Sequence, residues 1–277
     1  ELHNTIITKT RRFRNKHSEI VKMFYQDQDI TSLFLRIPET LTVEEKQLLK
    51  HFYSENGREF VKDGIIKNKI LPFAACVLVN INCDRDYWKN EHDFFVQRNQ
   101  EVKSLLDSVF TKMESFGCKT LALTENFGVV LRSHSCIGCF CSGDVDFSAN
   151  ILEKNKITCC LNEFGFYSEE QPNKIGEYSG QSMQFYNNNF LNKGFWINVI
   201  WKPVTRAFLV QDNYEFRLEK DRLNFKIINN TRIRVLKDTS LMYFCCLHIA
   251  AGHYFTLSPG LRLYFDIDRL ALKGNIN

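Results

Sequence analysis

Glycine and proline are scarce, at 13 and 5 of 277 residues, which argues against long structureless linkers. No apolar run approaches the roughly 18 residues that a membrane-crossing helix needs, and no charged-then-apolar leader opens the chain. A strong excess of one charge is also missing. Lys and Arg total 36 against 32 Asp and Glu, and a net charge of +4 over this length does not point to a nucleic-acid partner. The 10 cysteines lack the even, loop-rich spacing of a secreted disulfide scaffold, and several sit in apolar runs such as Phe244-Cys245-Cys246-Leu247. Reduced, buried thiols and a cytoplasmic protein with no membrane association are expected. Three enzyme signatures are absent as well: a Gly-x-x-x-x-Gly-Lys loop, a serine elbow and a Cys–His nucleophile pattern.

What is present is ordinary core-forming material, with 44% hydrophobic residues and 24 phenylalanines, enough for one large domain or two packed ones. One basic cluster stands out near the start: Lys9, Arg11, Arg12, Arg14 and Lys16. A solvated helix face explains it more simply than RNA binding. The chain opens on Glu1 and stops at Asn277 without a capping signal, so trimming at the start and continuation past the end are expected.

Hydrophobic spacing divides the chain into three expected parts. Residues 1–92 form an N-terminal helical region, with helical punctuation over 42–66. Residues 93–235 form the core. There Phe95, Val102, Leu105, Leu106, Val109, Phe110, Met113 and Phe116 make the stripe of a long helix that should lie on a sheet. Residues 120–124 then read as a buried strand, 126–131 as a turn into a short helix, 144–149 as a strand and 151–162 as a helix. Strands are expected again at 165–167, 182–186 and 195–201. Residues 236–277 form a C-terminal helical hairpin. Its first helix is apolar nearly all round and so expected to be buried, and its second is capped by Ser258 with Pro259 at the first position. The fold class is α/β (α+β): a small mixed sheet flanked by helices.

Within this frame the segment Ser142-Gly143-Asp144-Val145-Asp146-Phe147 carries the chemistry. Side chains alternate along a strand, so Asp144 and Asp146 share one face while Val145 and Phe147 turn to the core. Two carboxylates on one face can hold Mg²⁺, an ion that takes oxygen ligands and is commonly bound by one or two carboxylates plus substrate phosphates. Arg132, Lys202 and Arg206 are candidates to steady a triphosphate.

Three windows, 124–128, 143–147 and 161–166, together with 247–249 and 258–267, resemble a poorly characterised bacterial nucleotidyltransferase-like family within the polymerase-β-like superfamily. The resemblance implies a mixed sheet of nucleotidyltransferase type, with Asp144 and Asp146 holding Mg²⁺ (or Mn²⁺) and a nucleoside triphosphate. Asn126 and Gly128 would form the turn near the phosphates, and Ser142, Gly143, Arg132 and Lys202 would complete the nucleotide side. The implied reaction is transfer of a nucleoside monophosphate to a small-molecule, peptide or protein acceptor. The superfamily brings a third carboxylate from a later strand. Here that strand carries Asn198, which can offer a carbonyl oxygen to a metal but cannot accept a proton. The alternative is therefore a non-catalytic relative that binds a nucleotide or a partner protein.

Other constellations have simpler explanations. Asp266-Ile267-Asp268 falls in an expected helix, where residues two apart do not share a face. Cys136, Cys139 and Cys141 after His134 form half of a zinc site that Cys159-Cys160 would have to complete, and small buried residues are the simpler reading. His248 and His253 read as core and rim histidines rather than catalytic bases.

Overall fold

The computed structural model describes residues 28–67, 69–134, 136–140, 143–168, 182–192, 194–201, 223–228, 230–249 and 262–273. The basic cluster at 9–16, Cys141, Ser142, Lys202, Arg206, His253, Ser258 and Pro259 lie outside them.

Six strands form one mixed sheet in the order β3-β4-β2-β1-β6-β5. They are β1 (Ala122–Leu123), β2 (Asp144–Ser148), β3 (Ser182–Asn187), β4 (Phe195–Ile200), β5 (Leu223–Ile228) and β6 (Thr231–Leu236). The β2–β4 and β1–β6 pairs are parallel, and the others are antiparallel. The hairpin of β5 and β6 turns through Asn230 in a left-handed conformation and extends the sheet by two strands that hydrophobic spacing did not announce. The strand expected at 165–167 shrinks to a single bridge between Tyr167 and Tyr186. Gly165, with φ of 75°, turns the chain there just after the end of a helix.

Helices α1 (Gln28–Leu33), α2 (Val43–Lys67), α3 (Leu71–Asn80) and α4 (Arg85–Ser115) precede the sheet. Within it lie α5 (Phe127–Ser133) and α6 (Lys154–Glu163), and after it α7 (Asp238–Leu247) and α8 (Arg262–Lys273). Helix α2 is broken at Gly57, whose φ of 77° and ψ of 166° are not helical. Helix α3 reads Leu-Pro-Phe-Ala-Ala-Cys-Val-Leu-Val-Asn and is buried continuously from Pro72 to Leu78, as an all-apolar helix must be. Among the described residues no helix is long and apolar enough to cross a membrane.

Helix α4 organises the molecule. At 31 residues it is about 46 Å long. Its first turns bury Trp88 in a helical core with Leu49, Ile65, Phe73 and Leu78, while Val102, Leu106, Val109, Phe110 and Met113 enter the sheet core. The expected stripe therefore does lie on the sheet, with Phe110 edge-on to Phe147 of β2. Helix α7 departs from expectation. Leu241, Phe244 and Cys245 are buried, but Thr239, Tyr243 and Cys246 are exposed, so only one face is covered.

Candidate active site

The acidic strand is placed from both faces. Val145 and Phe147 are fully buried in the sheet core, so alternation turns Asp144 and Asp146 to the other side. The carbonyl of Asp146 accepts from the Thr124 amide (3.0 Å) and the Thr124 hydroxyl (3.1 Å), which fastens the end of β1 to the strand. On the opposite edge β4 runs parallel, and its register sets Asn198 directly beside Asp146.

Two amides hold the two acids. Asn198 Nδ2 donates to Asp144 Oδ2 at 3.1 Å and to Asp146 Oδ1 at 2.9 Å. Asn126 Nδ2 donates to Asp144 Oδ1 at 3.3 Å and to Asp146 Oδ2. Asn126 itself has φ of 59° and ψ of −111°, a conformation that a glycine adopts without strain and other residues rarely do. Its side chain is secured by Arg262, whose Nη2 donates to Asn126 Oδ1 at 2.9 Å.

Gly128 is buried in the first turn of α5. An added Cβ would lie 3.4 Å from the Leu123 backbone and from Leu241 Cδ1, so the missing side chain lets α5 settle against β1 and α7. Gly143 is exposed, with open space around it, and its carbonyl accepts from Trp196 N at 3.3 Å. Arg132 is engaged by Asp238 in a two-pronged bond of 2.8 and 2.7 Å that ties α5 to the start of α7. The structure thus brings together Asp144, Asp146, Asn126 and Asn198, with Gly128 and Gly143 beside them, and gives Arg132 a different partner.

Three residues join the site that the sequence reading did not place there. Glu125 is buried immediately before Asn126, and its charge acts on Asp146. His248, at the end of α7, sets Nδ1 2.7 Å from Glu125 Oε2. Arg262 reaches Asn126 from the start of α8. The only signal for Glu125 was a carboxylate caught between a buried strand and a buried helix, and nothing local could have paired it with a histidine 123 residues away.

Electrostatics set the character of the site. Burial raises the Asp146 pKa well above the carboxylate range, and the Asp144 and Glu125 charges add to the effect. Burial opposes a charge on His248, but the contact with Glu125 and the nearby Asp146 overcome it and raise its pKa to about 9. The donor set fits a hard divalent cation: two facing carboxylates, and the buried Asn198 Oδ1, which has no hydrogen-bond partner among the described residues. A half-turn of that amide would add a third oxygen to the pair.

A family model described as "Uncharacterised nucleotidyltransferase" matches residues 65–276. The chain belongs to this family. Among solved structures, similarity extends to the lincosamide antibiotic adenylyltransferase LnuA in its lincomycin-bound form. Identity there is 17%, with 62% of this chain and 95% of that one covered and a TM-score of 0.41. The antibiotic-resistance factor ANT(2'')-Ia is similar at 6% identity, with 63% and 84% covered and a TM-score of 0.44. No curated protein matches the chain.

Proposed function

We propose that this nucleotidyltransferase-family protein moves a nucleoside monophosphate from a nucleoside triphosphate to an acceptor hydroxyl or phosphate, in dependence on Mg²⁺ or Mn²⁺. The observation that carries the reading is the pair Asp144 and Asp146 on one face of β2, bridged by the amides of Asn126 and Asn198. Asp144, Asp146 and the carbonyl oxygen of Asn198 would hold the metal. The bound ion supplies neutralisation of phosphate charge and stabilisation of the attacking and leaving oxygens.

The remaining work falls to the chain. The turn of Asn126 and Gly128, the approach through Ser142 and Gly143, and the cation Lys202 are proposed on the nucleotide side. Arg132 serves that side by holding α5, which carries the turn, against α7. The acceptor oxygen forms a bond to the α-phosphorus, the bond to the pyrophosphate oxygen breaks, and the acceptor's proton passes to a carboxylate. Asn198 cannot take that proton. Of the three facing residues, only Asp144 and Asp146 are carboxylates that could accept it. Residues 93–235 carry this chemistry, with the helical regions 1–92 and 236–277 as its flanks.

A second reading, binding of a nucleotide without transfer, is favoured by Asn198 at the register position of the third acid. One experiment separates the two. The protein is incubated with labelled triphosphates, Mg²⁺ or Mn²⁺ and cell lysate, beside Asp144→Ala and Asp146→Ala controls. Metal-dependent release of pyrophosphate and a labelled acceptor, both absent from the controls, are expected. Triphosphate binding with no transfer in any condition would replace the enzyme by the binding module.

A further inference from the structure

Away from the acidic pair, four side chains from three segments converge. Cys76 comes from α3, His92 from α4, and Cys136 and Cys139 from the loop that leaves α5. One ligand atom from each lies within 4.8 Å of all the others. We propose that Cys76, His92, Cys136 and Cys139 form a structural zinc site.

The spacing fits a single ion. In a tetrahedral site with Zn–S near 2.3 Å and Zn–N near 2.0 Å, ligand atoms stand roughly 3.5 to 3.8 Å apart. His92 Nε2 lies 3.3 Å from Cys136 Sγ, close to that separation before any ion draws the set into shape. A cluster of several irons would spread its thiolates over different metal atoms and needs a wider arrangement. Three sulfurs and one imidazole are a soft donor set that selects zinc over Mg²⁺ or Ca²⁺, and four protein ligands leave no open position for substrate. The site is therefore structural rather than catalytic.

The surroundings are built for it. Cys136-Ile137-Gly138-Cys139 has the two-residue spacing of a metal knuckle and closes as a turn, with Cys139 N donating to Cys136 O at 3.2 Å. Gly138 N donates to Cys136 Sγ at 3.3 Å. A side chain at Gly138 would put its Cβ 2.8 Å from His92 Nε2 and 2.5 Å from Val96 Cγ2, so only glycine lets the knuckle reach the histidine. About two turns further along α4 from His92, buried Asn99 donates through Nδ2 to Ile137 O and Phe140 O, both at 2.6 Å, and clasps the loop on either side of Cys139. Three thiolates with Zn²⁺ carry one net negative charge. The buried Arg269 lines the same small cavity as Cys136 and Cys139, and its positive charge lies near Cys139 and Cys76.

The arrangement differs from the half-site legible in sequence. His134 does not join Cys136 and Cys139. It is buried with its Nε2 3.4 Å from Asp266 Oδ1 and its ring against Phe73. Cys160 belongs to the sheet core. Cys76 and His92, distant in sequence and on separate helices, take their places. The site would pin the helical core to the loop that ends in the acidic strand, since Asp144 follows Cys139 by five residues.

The test is metal content, which does not depend on whether nucleotidyl transfer occurs. Protein purified without chelator is expected to hold one zinc per chain, released in step with modification of its thiols by a mercurial reagent. Cobalt(II) loaded in its place should show the thiolate charge-transfer bands and intense visible bands of a tetrahedral site. Cys76→Ser and Cys136→Ser should lose the metal, while Cys159→Ser, at an exposed cysteine, should keep it. If the serine variants fail to fold, the cobalt spectrum of the wild-type protein decides: three thiolates should give about three-quarters of the charge-transfer intensity of a four-thiolate site. Folded wild-type protein with no bound zinc that gains none on addition would overturn the proposal. So would a disulfide between Cys136 and Cys139 in freshly prepared protein, or iron in place of zinc.

Discussion

Asp146→Asn should make the metal-free protein more stable while ending its response to Mg²⁺. The facing oxygens of Asp144 and Asp146 share the Asn198 amide at 3.1 and 2.9 Å, so they stand at most about 6 Å apart, the two bonds laid end to end. Once pH has risen through the folded-state pKa of Asp146 and both acids are charged, two charges at that distance, with an effective dielectric constant near 20, repel by about 3 kcal/mol. The substitution keeps the shape but sets one of its own N–H groups against an amide donor, which costs about 1 to 1.5 kcal/mol. A net gain of about 1 to 2 kcal/mol remains, or a rise in Tm of roughly 2 to 4 °C for a chain of this size. The pH dependence has a definite sign. The folded-state pKa of Asp146 lies above its unfolded value, so its contribution to stability is complete below the unfolded pKa and is lost as pH rises through the folded one. The advantage of the variant should therefore widen from acid toward alkaline pH. Differential scanning fluorimetry at several pH values, with and without Mg²⁺, measures both effects. A lower Tm for the variant at a pH above the Asp146 midpoint, or a Mg²⁺-induced rise that survives the substitution, would refute the placement of a cation between these acids.

Other expectations rest on single contacts. Arg132→Ala leaves the nearly buried Asp238 without its two-pronged partner and should cost about 2 kcal/mol, measurable by urea unfolding, and should weaken triphosphate binding by loosening the helix that carries the Asn126 turn. His248 is raised to about 9, so the stability from its pairing with Glu125 is complete below its unfolded pKa and is lost as pH rises through about 9. NMR titration of the histidine should find that midpoint, and Glu125→Gln should lower it. Gly194→Ala places a side chain at φ of 79° and against the Tyr186 hydroxyl, so a loss of about 2 kcal/mol or more is expected in chemical denaturation, with β3 and β4 most affected in hydrogen exchange.

The acidic strand was legible because its two faces differ within five residues. Asp144 and Asp146 alternate with Val145 and Phe147, and that alternation is a local property of the chain. The α4 stripe was legible for the same reason, although the helix starts at Arg85, where polar residues carry it on beyond the apolar pattern. The β5–β6 hairpin was not. Basic residues such as Arg232 and Arg234 break its apolar pattern, and Arg234 is buried with its guanidinium donating to Cys118 O at 3.0 Å and to Glu114. Arg132 illustrates the limit for charged residues: type alone could not distinguish a phosphate ligand from the partner of Asp238, 106 residues away.

By itself, the sequence determined a mixed α/β protein of nucleotidyltransferase type and a pair of carboxylates sharing one strand face, because periodicity and residue chemistry act over a few neighbours. The tertiary structure alone decided the company those carboxylates keep. The parallel register of β2 and β4 put Asn198 beside Asp146, and the approach of α7 and α8 brought His248 to Glu125 and Arg262 to Asn126. The same holds for the four-ligand cluster, where Cys136 and Cys139 are a local motif but Cys76 and His92 join them only through the packing of α3 and α4. Charge, burial and metal geometry depend on distances in space, and the folded chain sets those distances.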